Sequence, residues 1–526
     1  MIYCKDYGFS RSPNDKSLAI NLKHVSNVCF LQMVANYDEV MKLALARGFY
    51  FPSCEIYSDA PAGFWEYGPA GVNMKNKFIE LWRRELVRRD GMMEIDGSQI
   101  MSKSVFVASG HIGNFTDPIV KCTKCGSTFR ADRHITEKTG ENVPERMSDE
   151  EINALIKKHN LRCPNCKGEF GGVSRFNMMF RVGIGPAAEE AYLRPETCQT
   201  IFVDFARVFK TMRGRLPLGI AQVGKSFRNE IAPRQSLLRL REFYQAEIEV
   251  FCNPNRLDDM PKFEEVKNTI LRISSHDGSS LVETTAEEGI NKGLIPNKLV
   301  AYYLALLTEF YAKTGIDIKR SRFRRLSDEE KAFYASVAFD FEVETSIGWL
   351  ELVACNYRSD YDLKGHASTS KQNLEVVDPA DQTKVLPHVF ELSMGIDRSI
   401  YTILEHCYYV DEQHDDRVVL RLKPYLAPVL VGILPLVTRD GLDQKARKIH
   451  SDLKYDFDTF YDESGSIGRR YRRLEEVGAP FAITIDQTTL QDDTVTVRHR
   501  DTMQQERVKA SELRQYMQNA LLIARN

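Results

Sequence analysis

The chain has 526 residues, a net charge of −2 and a hydrophobic fraction of 43%. That length exceeds a single core and predicts two or three domains, while the near-neutral charge excludes nucleic-acid binding by bulk electrostatics, so any such contact is local. No apolar run reaches the ~18 residues of a membrane span, and the opening MIYCKDYGFSRSPND lacks the apolar core of a secretory signal, so a cytoplasmic protein without a membrane partner is expected. The 11 cysteines are odd in number and mostly scattered in apolar surroundings, as at Cys29, Cys252 and Cys355, which suits reduced thiols.

Residues 1–32 fit poorly with the rest of the chain and read as a disordered extension or an upstream mis-start; the alternative is an extra element that docks on the body. From Met33, VANYDEVMKLALARGF has the period of an amphipathic helix ending near Gly48. The Gly/Pro/aromatic stretch PAGFWEYGPAG precedes a second such helix, VNMKNKFIELWRRELVRRDG, which puts Trp82 and Leu86 on one face and needs a partner surface. Residues 121–175 look inserted. They carry Cys122, Cys125, Cys163 and Cys166 in KCTKCGS and LRCPNCKG, around a helix expected to start at Ser148 with Glu151 completing a capping box. Two C-x-x-C knuckles in a reduced protein suit a structural tetrahedral Zn²⁺; the alternative is a relic that binds no metal.

Residues 195–252 alternate like strands, 255–335 read as a helical, charged insertion, and 336–400 return to strands ending in a helix. A break falls at RLKPYLAPVL. Beyond it, VLVGILPLV reads as a strand buried on both faces, and strands alternate with helices as in a small α/β domain with a mostly parallel sheet. The domains expected are therefore 33–424 and 425–526.

The chemistry concentrates in RLREFYQAEIEV, Arg239 to Val250. A period of two puts Arg239, Arg241, Phe243, Gln245, Glu247 and Glu249 on one face and a mostly apolar set on the other. That face runs basic, aromatic, acidic, and suits an elongated ligand with an anionic end, a flat ring and a cationic end; a solvated sheet face is the competing reading. Upstream, GKSFRNEIAPR offers Arg228, and its Pro233 lets the chain turn back and pair. Guanidinium forks and an aromatic face suit a nucleoside triphosphate. FELSMGIDRSIY adds Glu391, Ser393 and Arg398.

FRNE with Arg239-x-x-x-Phe243 resembles motif 2 of class II aminoacyl-tRNA synthetases, and GIDR (395–398) resembles motif 3. With GFWEYGPAG, RPETCQ and ELVACNYRSDYDL, the segments resemble, in order, the dimeric glycyl-tRNA synthetases of archaea and eukaryotes over residues 35–526. The resemblance implies an α+β protein: an antiparallel-sheet catalytic domain with insertions and a C-terminal α/β anticodon-binding domain. It implies ATP-dependent charging of tRNA(Gly) with glycine through a glycyl-adenylate, with Mg²⁺ accompanying ATP, and a homodimer, although the strand proline of motif 1 is not identifiable. Arg228 would hold the α-phosphate and share catalysis with Arg398. Asn229 and Glu230 would serve the nucleotide or its metal, Arg239 and Leu240 the outer phosphates, Phe243 and Arg398 the adenine. Glu351 and the backbone of Leu352 would help hold ATP, Glu351 through Mg²⁺. Glycine's ammonium would meet Glu196, Glu247 and Glu391, near Leu392 and Ser393, and its carboxylate Arg358.

Two further readings compete: a non-catalytic relative that binds nucleic acid, and a class II synthetase for threonine, proline or serine. The co-occurrence of the arginines with the glutamates argues against the first, and the acidic pocket against the second. MSKS (101–104) and HIG (111–113) resemble the two class I signatures, but in reversed order and without the strand, Gly-rich loop and helix those need, and we read both as chance. GRRYRR (468–473) suits either tRNA contact or a solvated helix face. The 255–335 insertion suits an acceptor-stem clamp or an inert ornament.

Overall fold

The computed structural model describes residues 35–525 except 142, 145, 146 and 234, so the expectations for residues 1–32 lie outside the described residues. Helix α1 (Tyr37–Ala46) is started by a capping box between Asn36 and Glu39 and buries Val40 and Ala44. Helix α2 (Pro69–Trp82) begins with proline at its first turn, where no N–H is required. At Gly71 a Cβ would lie 1.8 Å from the Phe49 carbonyl oxygen, so only glycine lets the two backbones approach. α2 runs on through a wider turn, Arg83–Arg88, and buries Phe78, Trp82 and Leu86.

A nine-stranded sheet forms the body: β1 (Met93–Ile95), β2 (Leu218–Phe227), β3 (Glu242–Cys252), β4 (Ile270–Ser274), β5 (Leu281–Thr285), β6 (Ser321–Arg325), β7 (Val337–Thr345), β8 (Gly348–Ser359) and β9 (His388–Gly395). Their spatial order is β5-β4-β6-β7-β8-β9-β3-β2-β1. The pairs from β6 through β2 are all antiparallel, whereas β1 joins β2, and β4 joins β6, in parallel.

Two expectations need correction. Within 195–252, Cys198–Thr211 is a helix (α3): Cys198, Ile201, Phe202 and Phe205 recur with helical period and are all buried. The 255–335 segment is no peripheral helical ornament. It supplies β4, β5 and β6, and its helix α4 (Lys298–Ala312) buries 12 of 15 residues. A helix apolar nearly all round belongs in a core, and at about 1.5–3 kcal/mol per large side chain this burial outweighs the charge on its flanks. α4 packs on α2 through Phe310 against Phe78, ring centroids 5.5 Å apart. The hydroxyls of Tyr302 and Tyr303 donate to the two oxygens of Asp90 (2.9 and 2.7 Å). The apolar face of α2 is thus covered inside the protomer.

Helix α5 (Tyr361–Ser370) follows β8, and α6 (Ile396–Cys407) follows β9. Residues 116–177 form a three-stranded sheet with helices Ala131–Thr139 and Asp149–Lys158, the latter with its Ser148–Glu151 capping box. A last sheet holds β10 (Val431–Pro435), β11 (Thr459–Tyr461), β12 (Phe481–Ile485), β13 (Thr494–His499) and β14 (Gln505–Lys509), in the order β11-β10-β12-β13-β14, with its own apolar core. β10 is buried at every residue. This sheet is half parallel and half antiparallel, not mostly parallel, because β12, β13 and β14 meander. Helices α7 (Leu442–Leu453), α8 (Ile467–Glu476) and α9 (Leu513–Arg525) accompany it. No helix among the described residues is long and apolar enough to cross a membrane.

Candidate active site

The register of three neighbouring strands builds the site. Glu247 faces Ser393 and Glu249 faces Glu391 across β3 and β9; Asn356 of β8 then faces Glu391 from the other side. Alternation sends these polar side chains to one face and Ala246, Ile248, Val250 and Leu392 into the core. Above that face lies a cavity of about 400 Å³. Glu230, Arg239, Phe243, Glu351 and Arg398 line it towards one end and Glu391 and Ser393 towards the other, while Arg228, beside the Phe243 ring, also shares a second cavity wall with Glu196.

At the basic end, the Arg228 guanidinium lies 5.3 Å from the Phe243 ring centroid and its Nε donates to the Pro195 carbonyl (3.1 Å). Arg239 Nε donates to Glu230 (2.6 Å). Arg398 reaches the Glu351 carbonyl (3.0 Å) and carboxylate (3.3 Å) through Nη1 and the Leu238 carbonyl through Nε (3.2 Å).

At the acidic end, Asn356 donates to Glu391 Oε2 (2.6 Å) and Arg358 to its Oε1 (2.7 Å). Glu247 accepts from Ser393 (2.6 Å), Thr197 (2.5 Å) and Gln245 (3.2 Å). One oxygen each of Glu247 and Glu391 and the sulfur of Cys198 lie within 4.8 Å of one another. So many buried carboxyls cannot all ionise freely. Burial, reinforced by Glu391, pushes Glu249 well above the usual range. Glu391 is pushed up to about 7 by burial and by Glu196 and Glu247, against the pull of Arg358. Glu247 is raised by burial and by Glu196. Glu196 goes the other way: burial opposes its charge, yet His111 and Arg358 hold it well below the usual range.

Several expected placements do not hold. Arg239 and Arg241 lie before β3, not on it; Arg241 turns away and donates to the carbonyls of Glu230 (3.0 Å) and Ala62 (2.8 Å). Leu392 points into the core, opposite the site. Glu247 does not line the cavity but lies one layer below, beneath Ser393. Arg358, expected to meet a substrate carboxylate, is 1% exposed. Its Nε and Nη2 hold both oxygens of Asp362 (2.6 and 2.8 Å), and Tyr334 stacks on it at 3.7 Å. It is enclosed and paired already. Asn229 is absent from the cavity wall; its N–H donates to the Met178 carbonyl. Leu240 and Leu352 are buried side chains that line the cavity from below.

Other residues escape sequence reasoning. Thr197, Gln199, Asn356 and Asp362 sit inside RPETCQ and ELVACNYRSDYDL, where the residue types hold the signal but not its direction. Asp340, on the cavity wall and pushed up to about 8 by burial and by Glu351, carries no signal, nor does Tyr334. His111 belongs to HIG, a chance likeness as a signature, yet it is buried against Glu196.

The four knuckle cysteines converge, with all four sulfurs within 4.8 Å of one another. Cys122 and Cys166 are 3.4 Å apart, Cys125 and Cys163 3.6 Å. A tetrahedron of thiolates at about 2.3 Å from Zn²⁺ has edges of about 3.8 Å, so the set fits that ion. The GRRYRR arginines are largely spent inside the protein. Arg470 caps the Gly465 carbonyl (2.7 Å), Arg473 pairs with Asp462 (2.6 Å) and Arg472 donates to the His414 carbonyl (3.2 Å). Arg469 alone of the four stays exposed and makes no such contact among the described residues.

Residues 180–407 match the tRNA synthetase class II core domain (G, H, P, S and T), and residues 430–520 the anticodon binding domain. The chain is 39% identical to the glycine--tRNA ligase of Methanothrix thermoacetophila, over 90% of this chain and 95% of that one. It is 39% identical to that of Pyrococcus furiosus, over 91% and 97%, and 37% identical to that of Methanocaldococcus jannaschii, over 92% and 99%. The chain belongs to the glycine--tRNA ligase family of class II aminoacyl-tRNA synthetases.

Proposed function

We propose that the chain joins glycine to tRNA(Gly) at the expense of ATP, with the two ends of the cavity dividing the work. The observation that supports this reading is the union, in one cavity, of an arginine and aromatic end with an acidic end. Phe243 and Arg398 flank the adenine, Arg228 takes the α-phosphate and Arg239 the outer phosphates, leaving its pairing with Glu230 to do so. Glu196 and Glu391 face glycine's ammonium, with Ser393 between them and Glu247 beneath. Asn229 acts through its backbone, and Arg358 fixes Glu391 rather than gripping the substrate. A glycine carboxylate oxygen attacks the α-phosphorus, the bond to pyrophosphate breaks, and a terminal tRNA hydroxyl then attacks the glycyl carbonyl and releases AMP. Positioning and charge neutralisation suffice, and no protein nucleophile is needed.

Glu351, half-exposed on the cavity wall, and Glu230 offer the hard oxygen donors that Mg²⁺ takes; bound with ATP, the ion neutralises triphosphate charge. The Cys4 knuckle holds a structural Zn²⁺. Every competing amino acid is larger than glycine and is excluded by overlap, a stronger filter than the about 1–3 kcal/mol gained from one added methylene. We read the C-terminal sheet as the anticodon-binding domain and the molecule as a cytoplasmic homodimer. The α2 face is not its interface, being covered by α4; a protomer-sized mass by light scattering would end the dimer reading.

Exchange of labelled pyrophosphate into ATP, with each amino acid in turn, tests the assignment. Glycine-dependent exchange is expected. Better exchange with alanine or serine, or none with glycine, would overturn it.

A further inference from the structure

His111 is 3% exposed and sits at the start of a one-turn helix, His111–Asn114. It follows Gly110, whose φ of +81° suits glycine and turns the chain inward. Both ring nitrogens are engaged. Nδ1 lies 2.8 Å from the Ser109 hydroxyl and Nε2 lies 3.2 Å from Glu196 Oε1. A carboxylate only accepts, so Nε2 carries the proton and donates it to Glu196.

Three donors converge on that one oxygen. Besides His111, Cys198 Sγ and Gln199 Nε2 each lie 2.9 Å from Oε1. Gln199 is held in turn by His366 through its own oxygen, at 3.1 Å. None of these partners touches Oε2, and Glu196 lines the cavity. A second cavity, of about 220 Å³, is also lined by Glu196, with His111, Phe115, Arg228 and Tyr334.

We propose that His111 is a positioning residue that turns Glu196 towards glycine's ammonium, with Ser109 setting the ring. This rests on the reading that Glu196 contacts glycine. Its necessity arises from the surroundings of Glu196. Glu247 and Glu391 face it from β3 and β9 and repel its charge, and Tyr334 and Cys198 offer none. Arg358 on β8 attracts it but is committed to Asp362 and Glu391. Of the donors on Glu196 Oε1, His111 alone comes from the short helix His111–Asn114, whereas Cys198 and Gln199 come from α3. His111 combines two functions, fixing one oxygen in place and offsetting the repulsion of its carboxyl neighbours.

The test is glycine-dependent pyrophosphate exchange with His111→Ala, His111→Gln and Ser109→Ala, measuring KM for glycine and for ATP against pH. His111→Ala is expected to raise the glycine KM about 10–100-fold, the usual range for losing a group that orients a contacting ligand, and to leave the ATP KM near wild type. The acid limb of glycine KM against pH should steepen, because Glu196 then takes up a proton alongside Glu391. His111→Gln, which keeps an N–H, should recover part of the loss, and Ser109→Ala should lose a smaller part. Should His111→Ala not fold, the other two variants leave the packing in place and carry the same readouts. Unchanged glycine KM and pH profile in the folded variants, or equal losses for glycine and ATP, would overturn the proposal. Glu196→Gln separates the two claims: normal glycine KM in that variant would overturn the contact of Glu196 with glycine itself.

Discussion

Glu249 is fully buried, and neither of its carboxylate oxygens has a hydrogen-bond partner among the described residues. An ionised carboxylate in that position would cost several kcal/mol, so Glu249 is neutral, while Glu247, two residues along the same face, collects three donors. The pair makes a contrast. Glu247→Gln should weaken glycine more than ATP, since it replaces one of the two oxygens that accept from Ser393 and Thr197 with an amide NH2 and removes the charge. Glu249→Gln, which replaces one neutral group by another, should leave glycine KM within about twofold; equal effects of the two variants in steady-state exchange would refute the assignment. Arg228→Ala should lower glycine-dependent exchange by about 10²–10³-fold, the scale for removing one preorganised charge-stabilising donor; retention of more than a tenth of the rate would contradict its role at the α-phosphate. Glu391, pushed up to about 7, adds a pH dependence. Its raised value means the carboxyl is protonated below about 7 and charged above, so glycine's KM should fall as pH rises through that value. A flat KM from about pH 6 to about pH 8 would refute it.

At the scale of elements, the zinc knuckle has a core of its own, Val120, Ala131, Ile135, Ile152 and Ile156. That core is small, and on the proposed zinc reading ligation adds to what holds the segment together. Purified protein should carry about one equivalent of zinc, and Cys163→Ser, at a fully buried sulfur, should lose it and unfold this segment first, as read by metal analysis and limited proteolysis. Less than about half an equivalent in the wild type would sink the zinc reading. Legibility differs between elements for a physical reason. β10 is plain because a strand buried on both faces reads as an unbroken apolar run. α3 is masked because its polar residues, Gln199 and Thr200, are buried at the site and blur the helical period. α4 is disguised because its charged flanks set the local composition while its body packs in the core.

At the scale of the molecule, the hairpin Tyr408–Asp411/Arg417–Leu420 meets the C-terminal sheet and α8 across a buried charge cluster. Glu475 of α8, 2% exposed, accepts from Arg417 (3.0 Å) and Arg498 (2.5 Å), and Arg417 also holds Asp411 (2.7 Å). Removing one member of such a cluster strands the others. Glu475→Ala should therefore cost about 3–5 kcal/mol in denaturant unfolding while leaving the ATP and glycine contacts in place. A loss under about 1 kcal/mol would mean that water already screens the cluster.

The sequence by itself determined the motif order, the co-occurrence of arginines with glutamates and the four-cysteine set, because these depend on residue type, spacing and a strand's period of two; the class of fold followed from the family resemblance those motifs carry. Tertiary structure alone decided which charges remain free. Arg358 and three of the four GRRYRR arginines are spent on partners remote in sequence or fixed by backbone direction, which no local pattern encodes. It likewise decided that α2 packs against α4, and that His111, within a segment whose likeness to a signature was accidental, closes on Glu196 across 85 residues of chain. Hydrogen bonding is short-ranged and directional, so a partner so far along the chain can be identified only after the chain has folded.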